Sequence, residues 1–509
     1  SVGALVGTSY EHYKYERLAG SREEFPSDAL TDMEAGSTSG AGYTNGAGSS
    51  EYKMLSYFAR VNYTLMDRYL LEVNMRADAS SRFHKDHRWG YFPSFSAGWR
   101  MNEEGFMKDI EWINNLKIRA SYGTLGNINN VGNYDYFQNY SSGNHYNFSD
   151  SPVIGIGESK PANETLGWEK VALTDIGLDF DIFNGLLGVT ADYYIKNTSD
   201  ILLGYNVPTE TGITAAPSQN IGKVKNTGFE LALNHRNKIG AVNYSIGANI
   251  ATNKNKITNL GGSDNIIQTS SYIVKYILKK GESIGSFYGF KTDGLYTQAD
   301  IDAGHYYTLS GVVPNAGDVK FVPQRDIEYK QEITDEDRTI LGKDVPDFTY
   351  GVNLSLQYKG FEFSMFGQGI SGTKVAFDVY GVHPFYHGQD NPRKYHLKRW
   401  TEENPNPYAA YPRLYSASSV HTTYNRNFSD YHLFDSDYFR FKTLSLGYTV
   451  PSATVKSWGL QSLKVYVTGE NLFTVRADKK MEDFDPETAG GVIYTLGTKS
   501  VAFGVNISF

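Results

Sequence analysis

The 509-residue chain contains no cysteine, so neither disulfides nor thiolate metal sites hold it together. It has no uninterrupted apolar run near the roughly 18 residues of a membrane-spanning helix, and its mean hydropathy is −0.43; a helical membrane protein is thereby excluded. The formal net charge of −8 argues against nucleic acid as a partner and suits a protein of an outer surface. No phosphate-binding loop and no His-Glu-x-x-His is present. Adjacent acids such as Glu103 with Glu104, or Glu402 with Glu403, point in different directions on extended backbone and form no acid/base pair. An enzyme is not expected.

What the chain does have is a two-residue period. Its last ten residues alternate apolar Val501, Phe503, Val505, Ile507 and Phe509 against small or polar Ala502, Gly504, Asn506 and Ser508. Leu71, Val73, Met75, Ala77 and Ala79 face away from Glu72, Asn74, Arg76, Asp78 and Ser80 in the same manner. Leu116, Ile118, Ala120 and Tyr122 stand opposite Lys117, Arg119 and Ser121, and Leu187 to Ile195 opposite Thr190, Asp192 and Lys196. A soluble sandwich or propeller alternates too, but these runs reach the nine to eleven or more residues that a tilted membrane-crossing strand needs. Aromatic residues make up 14%, with 39 Tyr, which fits girdles at the two membrane interfaces. The fold class expected is all-β, a transmembrane antiparallel β-barrel. About fourteen strands are expected, centred near residues 7, 58, 74, 96, 119, 175, 191, 230, 247, 352, 365, 444, 467 and 504. The charges Glu72, Arg76, Asp78, Arg119, Asp192 and Lys196 would then face the lumen. The chain opens inside a strand-like segment without an initiator Met and is read as a fragment or processed remainder of a longer protein.

Tight turns at Met66-Asp67-Arg68, Asn184-Gly185, Lys238-Ile239-Gly240 and Lys359-Gly360 alternate with long links at 20–50, 127–165, 199–222, 256–343, 372–435 and 476–497. This is the asymmetry of periplasmic turns against extracellular loops. Residues 281–343 are expected to make a loop excursion and 372–435 a long extracellular loop, neither with a core of its own. The second holds Tyr380, Phe385, Tyr386, Tyr395, Trp400, Tyr408, Tyr411, Tyr415 and Tyr424, whose flat faces with nearby polar groups suit either a substrate or a lid protein. His383 and His387 bracket Pro384, which spoils the spacing of a metal pair, and are expected at the surface.

Several stretches, in order, resemble the SusC-like TonB-dependent outer-membrane transporters (the SusC/RagA family). They are Tyr91-Phe-Pro-Ser-Phe-Ser-Ala-Gly-Trp-Arg100, Leu116-Lys-Ile-Arg-Ala-Ser-Tyr-Gly-Thr-Leu-Gly-Asn127, Trp168-Glu169 with Gly177-Leu-Asp-Phe180 and Asp192-Tyr-Tyr-Ile-Lys196, and Gly317-Asp-Val-Lys-Phe321. Trp400-Thr-Glu-Glu-Asn-Pro405 with Tyr411-Pro-Arg-Leu414, Asp437-Tyr-Phe-Arg440 continuing to Pro451, and Glu470-Asn-Leu-Phe-Thr474 followed by Asp485-Pro-Glu487 complete the series. The resemblance covers nearly all of residues 1–509 and implies the C-terminal part of a 22-stranded barrel whose plug domain and first strands lie outside this chain. It implies TonB-dependent import of nutrient oligosaccharides with a SusD-like surface lipoprotein as lid, and a TonB complex acting through the plug. A peptide importer of the same family, a passive porin and a surface adhesin are the alternatives. Phe509 would serve as the barrel-assembly signal in outer-membrane lipid. Where many relatives carry a calcium-like loop, this chain reads Phe321-Val-Pro-Gln-Arg-Asp-Ile-Glu-Tyr329. Asp326 and Glu328, even with Asp335 and Asp337, do not rebuild the alternating oxygen ligands. No metal and no cofactor are expected, and the acids are expected on a solvated face.

Overall fold

A computed structural model of the chain describes residues 1–38, 44–148, 151–204, 218–269, 273–377, 382–385, 391–487 and 497–509. Among the described residues fifteen strands form its main sheet, fourteen of them along one path: β1 (Val2–Ser21), β2 (Thr44–Leu65), β3 (Tyr69–Ser80), β4 (Trp89–Arg100), β5 (Ile113–Asn127), β6 (Glu169–Ile182), β7 (Leu187–Gly204), β8 (Ser218–Ile239), β9 (Val242–Thr252), β10 (Phe348–Tyr358), β11 (Phe361–Ser371), β12 (Tyr438–Thr449), β13 (Ser462–Arg476) and β14 (Ser500–Ser508), while the segment Lys254–Leu260 pairs with β8 off that path. Each of β1 to β14 contains one of the fourteen centres expected from the alternation; Lys254–Leu260 was not expected.

The described chain folds as two compact units. The first comprises Ser1–Gly98, Ser121–Thr174 and Asn197–Lys223, and the second Trp99–Ala120, Asp175–Lys196 and Val224–Phe509. Strands in the first follow the order β1-β2-β3-β4-β5-β6-β7-β8, and in the second β5-β6-β7-β8-β9-β10-β11-β12-β13-β14. β5 to β8 contribute segments to both, and β4 gives its last two residues, Trp99 and Arg100, to the second. Pairing is antiparallel between sequence neighbours, for instance Arg60 opposite Asn74 on β2 and β3, and Val467 opposite Phe503 on β13 and β14. A meander of this kind follows from the short links after even-numbered strands. Met66 and Asp67 turn with φ of 52° and 58°, the left-handed pair that matches the twist of a hairpin.

The apolar alternation points outward. Leu71, Val73 and Met75 of β3 are exposed, and so are all five apolar residues of the C-terminal segment, Phe503 by 84%. In water this would be an aggregation surface; as a lipid-facing band it is what a membrane barrel requires. The polar face carries its own network. Arg76 Nε donates to Asp78 Oδ1 at 2.8 Å and Arg76 Nη2 to Ser56 Oγ at 3.0 Å. In the second unit Arg119 donates to Asp179 at 2.9 Å and to Asp192 at 2.8 Å. Gly177 lets that triad close, because a Cβ there would collide with both the Asp192 carboxylate and the Arg119 guanidinium.

The long links depart from expectation in two ways. First, strands run past the alternating segments: β1 and β2 stay paired from Val2 to Ser21, and residues 139–148 pair with 151–160 as a separate hairpin. Residues 10–21 of β1 are almost entirely exposed, and with water on both faces nothing imposes alternation. Second, the links do have cores. Phe290, Leu295, Leu309, Ala316, Val319, Phe321 and Ile333 from the 253–347 link bury together with Trp400, Ala409 and Tyr424 from the 372–437 link. A further cluster joins Val375, Phe377, Val382, Tyr395 and Phe434 to Met481 and Phe484 of the 477–499 link. These three links of the second unit make one packed loop layer.

Candidate functional site

The loop layer is organised by residues of the stretches singled out above. In Gly317-Asp-Val-Lys-Phe321, Gly317 has φ +89° and lies so close to Trp400 that a Cβ would come within 2.5 Å of its ring. Only glycine fits there. Asp318 is fully buried, which would be costly unpaired. It receives Asn315 N at 2.7 Å, Asn425 Nδ2 at 2.9 Å and His421 Nδ1 at 2.8 Å. It thereby ties the 253–347 link to a short helix, α1 (Val420–Asn425). Val319 and Phe321 enter the shared core, and Trp400 N donates to Tyr411 O at 2.8 Å.

Two other stretches, far apart in sequence, meet. Arg440 of β12 reaches Asp485 at 2.6 Å and Glu487 at 2.8 Å, and Lys442 also reaches Glu487 at 2.8 Å. Asp437 accepts from Ser371 Oγ at 2.6 Å and Thr373 N at 3.1 Å. Sequence reasoning found these motifs but not their use as clamps between loops and wall.

The nine aromatic candidates separate. Trp400 is 5% and Tyr424 1% exposed, and Tyr395 is likewise buried; their faces are spent on packing. Tyr424 lies edge-on to Phe321 at 5.2 Å, and Tyr395 edge-on to Tyr411 at 6.2 Å. Tyr408 is 75% and Phe385 48% exposed. Tyr411 and Tyr415 are intermediate, and burial pushes the ionisation of both hydroxyls well up. Tyr380 and Tyr386 lie outside the described residues, as does His387. Phe385, Tyr411 and Tyr415 are brought together around a small cavity of about 20 Å³, with Arg413 and Arg426. Arg413 sits over the rings of Trp400 and Tyr415, at 5.4 and 5.5 Å from their centroids, and pairs with Glu402 at 2.9 Å. Phe509 is 82% exposed.

His383 is not a surface residue: it is buried beside His432, ring centroids 5.3 Å apart, and contacts the Tyr411 hydroxyl at 3.2 Å. Burial holds His383 well below the ordinary histidine range and His432 at about 4, so both are neutral. The acids near Phe321–Tyr329 are not all solvated either. Asp337 is fully buried and accepts from Arg325 Nη2 at 2.7 Å, Thr334 N at 2.9 Å and Gln324 N at 3.0 Å. Burial pushes its pKa up, but the Arg325 guanidinium and these amides outweigh that and bring it to about 2. Arg325 thus occupies this carboxylate. Among the described residues no group of three His, Cys, Asp or Glu is placed to hold a metal ion. Gly281-Glu-Ser-Ile-Gly285 has the Gly-x-Ser-x-Gly spacing of a nucleophile elbow, which sequence reasoning missed. Ser283 Oγ is instead engaged with Ile284 O at 2.9 Å and Asn255 Oδ1 at 3.2 Å.

An apolar-out meander with short turns at one set of links and a packed loop layer at the other is the architecture of an outer-membrane β-barrel. Residues 3–472 match the family described as TonB dependent receptor-like, beta-barrel, and the chain belongs to that family, an outer-membrane transporter class and not an enzyme class. It is 31% identical over 482 residues to TonB-dependent receptor P3 of Formosa agariphila, covering 93% of this chain and 46% of that protein. Against TonB-dependent receptor SusC of Bacteroides thetaiotaomicron it is 29% identical over 467 residues, covering 89% of this chain and 43% of that protein. Among solved structures, that of the RagAB peptide transporter superposes with a TM-score of 0.81 at 25% identity, covering 100% of this chain and 53% of that one. The chain spans about half the length of the curated relatives it matches.

Proposed function

We propose that this chain is the barrel part of a SusC-type receptor that imports nutrient oligosaccharides across the outer membrane, driven through TonB and working with a SusD-like surface lipoprotein. The observation that carries the reading is the loop layer. Long links are packed into a preformed surface that bears exposed aromatic rings, Tyr408 and Phe385, above a transporter-family barrel. In barrels of this kind long loops face outward, where a ligand and a lid would arrive. Rings beside hydroxyls and guanidinium groups suit sugars, which present C–H patches between hydroxyls. Peptide import is the second reading, favoured by the likeness to the RagAB peptide transporter.

Uptake of a fluorescent panel of oligosaccharides and peptides by cells carrying the full-length receptor tests this, with and without collapse of the proton gradient. Receptor-dependent uptake that stops on collapse supports coupled import, and the panel names the class. Uptake that persists without the gradient identifies a porin, and receptor-dependent adhesion without uptake identifies an adhesin.

A further inference from the structure

The outward face of the second unit changes character where its wall approaches the loop layer. Phe229 of β8 and Phe348 of β10 flank Thr252 of β9: Phe229 N donates to Thr252 Oγ1 at 2.8 Å, and Thr252 stands opposite Phe348 in the ladder. Both rings are exposed, by 43% and 42%, as are Ile246 and Ile250 on the same face. They close the apolar band as an aromatic girdle does at a membrane interface. Beyond Thr252 the pairing continues. Asn253 N donates to Asp347 O at 2.9 Å, and Lys254–Leu260 pairs with β8. Asn255 donates to Asn226 Oδ1 at 2.7 Å and accepts from Ile284 N at 2.8 Å, so this pair faces the packed link. Alternation then sends Lys254, Lys256 and Lys225 to the face of Ile250 and Phe229, and all three are exposed.

Their height is set by the strands. Lys254 is two residues beyond Thr252, and Lys256 and Lys225 are four beyond Thr252 and Phe229, about 7 and 13 Å along strands rising about 3.3 Å per residue. With a tilt of about 40° that is about 5 and 10 Å above the girdle. The polar layer adds roughly 5–7 Å on each side of the hydrocarbon, and a flexible lysine stem spans the remainder. Charge sets the strip apart in a chain of net charge −8. Elsewhere in the unit Lys320, Lys442 and Lys291 meet carboxylates at 3.3, 2.8 and 3.7 Å. Among the described residues no carboxylate pairs with Lys225, Lys254 or Lys256, including Glu282, whose carbonyl accepts from Ile257 N at 2.8 Å. Like charges side by side on paired strands repel, and an anion between them relieves it.

We propose that Lys225, Lys254 and Lys256 grip the phosphate of a phosphorylated lipid in the outer leaflet, whose acyl chains lie against the band of Phe229, Ile250 and Phe348. Ammonium groups bind phosphate as point charges, and the apolar band beneath them offers a surface that only a lipid uses. This contact anchors the wall at the membrane interface and does not depend on what is imported.

The test exposes the purified full-length receptor to detergent micelles holding equal amounts of diphosphoryl lipid A and the same lipid stripped of phosphate, and measures the ratio of the two retained. Each lysine at an anionic surface contributes about fivefold, so the parent should enrich the phosphorylated lipid on the order of 100-fold, less so in high salt. K225Q/K254Q/K256Q should bring the ratio near one, and K225R/K254R/K256R should keep it high. If the glutamine triple does not give a heat-modifiable, folded barrel, K254Q alone should lower the ratio about fivefold. A ratio near one in the parent, or one unchanged in the glutamine variants, overturns the proposal. Lysine-dependent binding of inorganic phosphate as tight as that of the lipid overturns the lipid as its source.

Discussion

Replacing Arg440 by methionine should release the segment 478–487 from the barrel wall. The side chain is 5% exposed. It donates to Asp485 at 2.6 and 3.3 Å, to Glu487 at 2.8 Å and to Thr474 at 2.9 Å. Methionine fills similar space but leaves the acids. Glu487 would keep Lys442 at 2.8 Å and Tyr438 at 3.0 Å, so the stranded charge is Asp485, which retains the Glu487 amide at 3.0 Å. Breaking one side of a buried pair costs on the order of 3 kcal/mol, about a 100-fold rise in the open population. Opening uncovers Met481 and Phe484, whose neighbours Phe377 and Phe434 belong to the same cluster. Because the chain has no cysteine, Met481→Cys gives a thiol with no competitor within it, and its labelling rate reads the open fraction. R440M should raise that rate about 100-fold. Adding D485L should recover much of it, since removing both charges together relieves the stranded one. An unchanged rate in R440M, or strictly additive effects in the pair, would refute the clamp.

Three further outcomes follow from the same geometry. Gly317→Ala combines a disfavoured φ with a clash against Trp400 and should destabilise the loop layer by about 2–4 kcal/mol, seen as faster hydrogen exchange in 286–343; unchanged exchange would mean that the ring is not fixed where it lies. Asp337, at about 2 against an ordinary 3.8, contributes stability on the order of 2 kcal/mol. Because its folded pKa is depressed, that contribution is fully present above about pH 4 and lost as pH falls toward 2; amide protection around 324–334 should drop in that window, and D337N should abolish the drop. Phe509→Ser should lower the level of the full-length receptor in isolated outer membranes, and equal levels would count against a role of the terminal aromatic in assembly.

The wall was legible because a membrane barrel writes its faces into the chain: Leu71 to Ala79 cannot alternate with Glu72 to Ser80 by accident and remain useful in water. The hydrogen-bonded extensions of β1 and β2 beyond that band were not legible, since both faces there are wet. The loop layer was the harder part. Trp400 and Tyr424 carry the same residue types as a sugar platform, and only contacts between distant residues of two links, Gly317 with Trp400 and Phe321 with Tyr424, turn them into core. The motifs Gly317-Asp318, Asp437-Tyr-Phe-Arg440 and Asp485-Pro-Glu487 stood out as patterns. Their meaning is pairwise, and a pattern read along one segment does not name its partner. His383 and Asp337 were misplaced for a related reason: polar residues in a long link suggest solvent, whereas His432 and Arg325 bring each into a buried, satisfied position.

The cross-bracing bears on how such a surface would capture a ligand. Asp318 joins two links, Arg440 fixes a third to the wall, and the shared core contains ten buried residues. A loop that must fold around its ligand loses about 1–2 kcal/mol of entropy per residue ordered, which quickly exceeds the gain from a few hydrogen bonds and stacked rings. This layer has met that cost during folding. The exposed rings and the guanidinium of Arg413 are therefore presented on rigid supports. If this layer captures a ligand, R440M and Gly317→Ala, which loosen it, should weaken capture before they disturb the barrel.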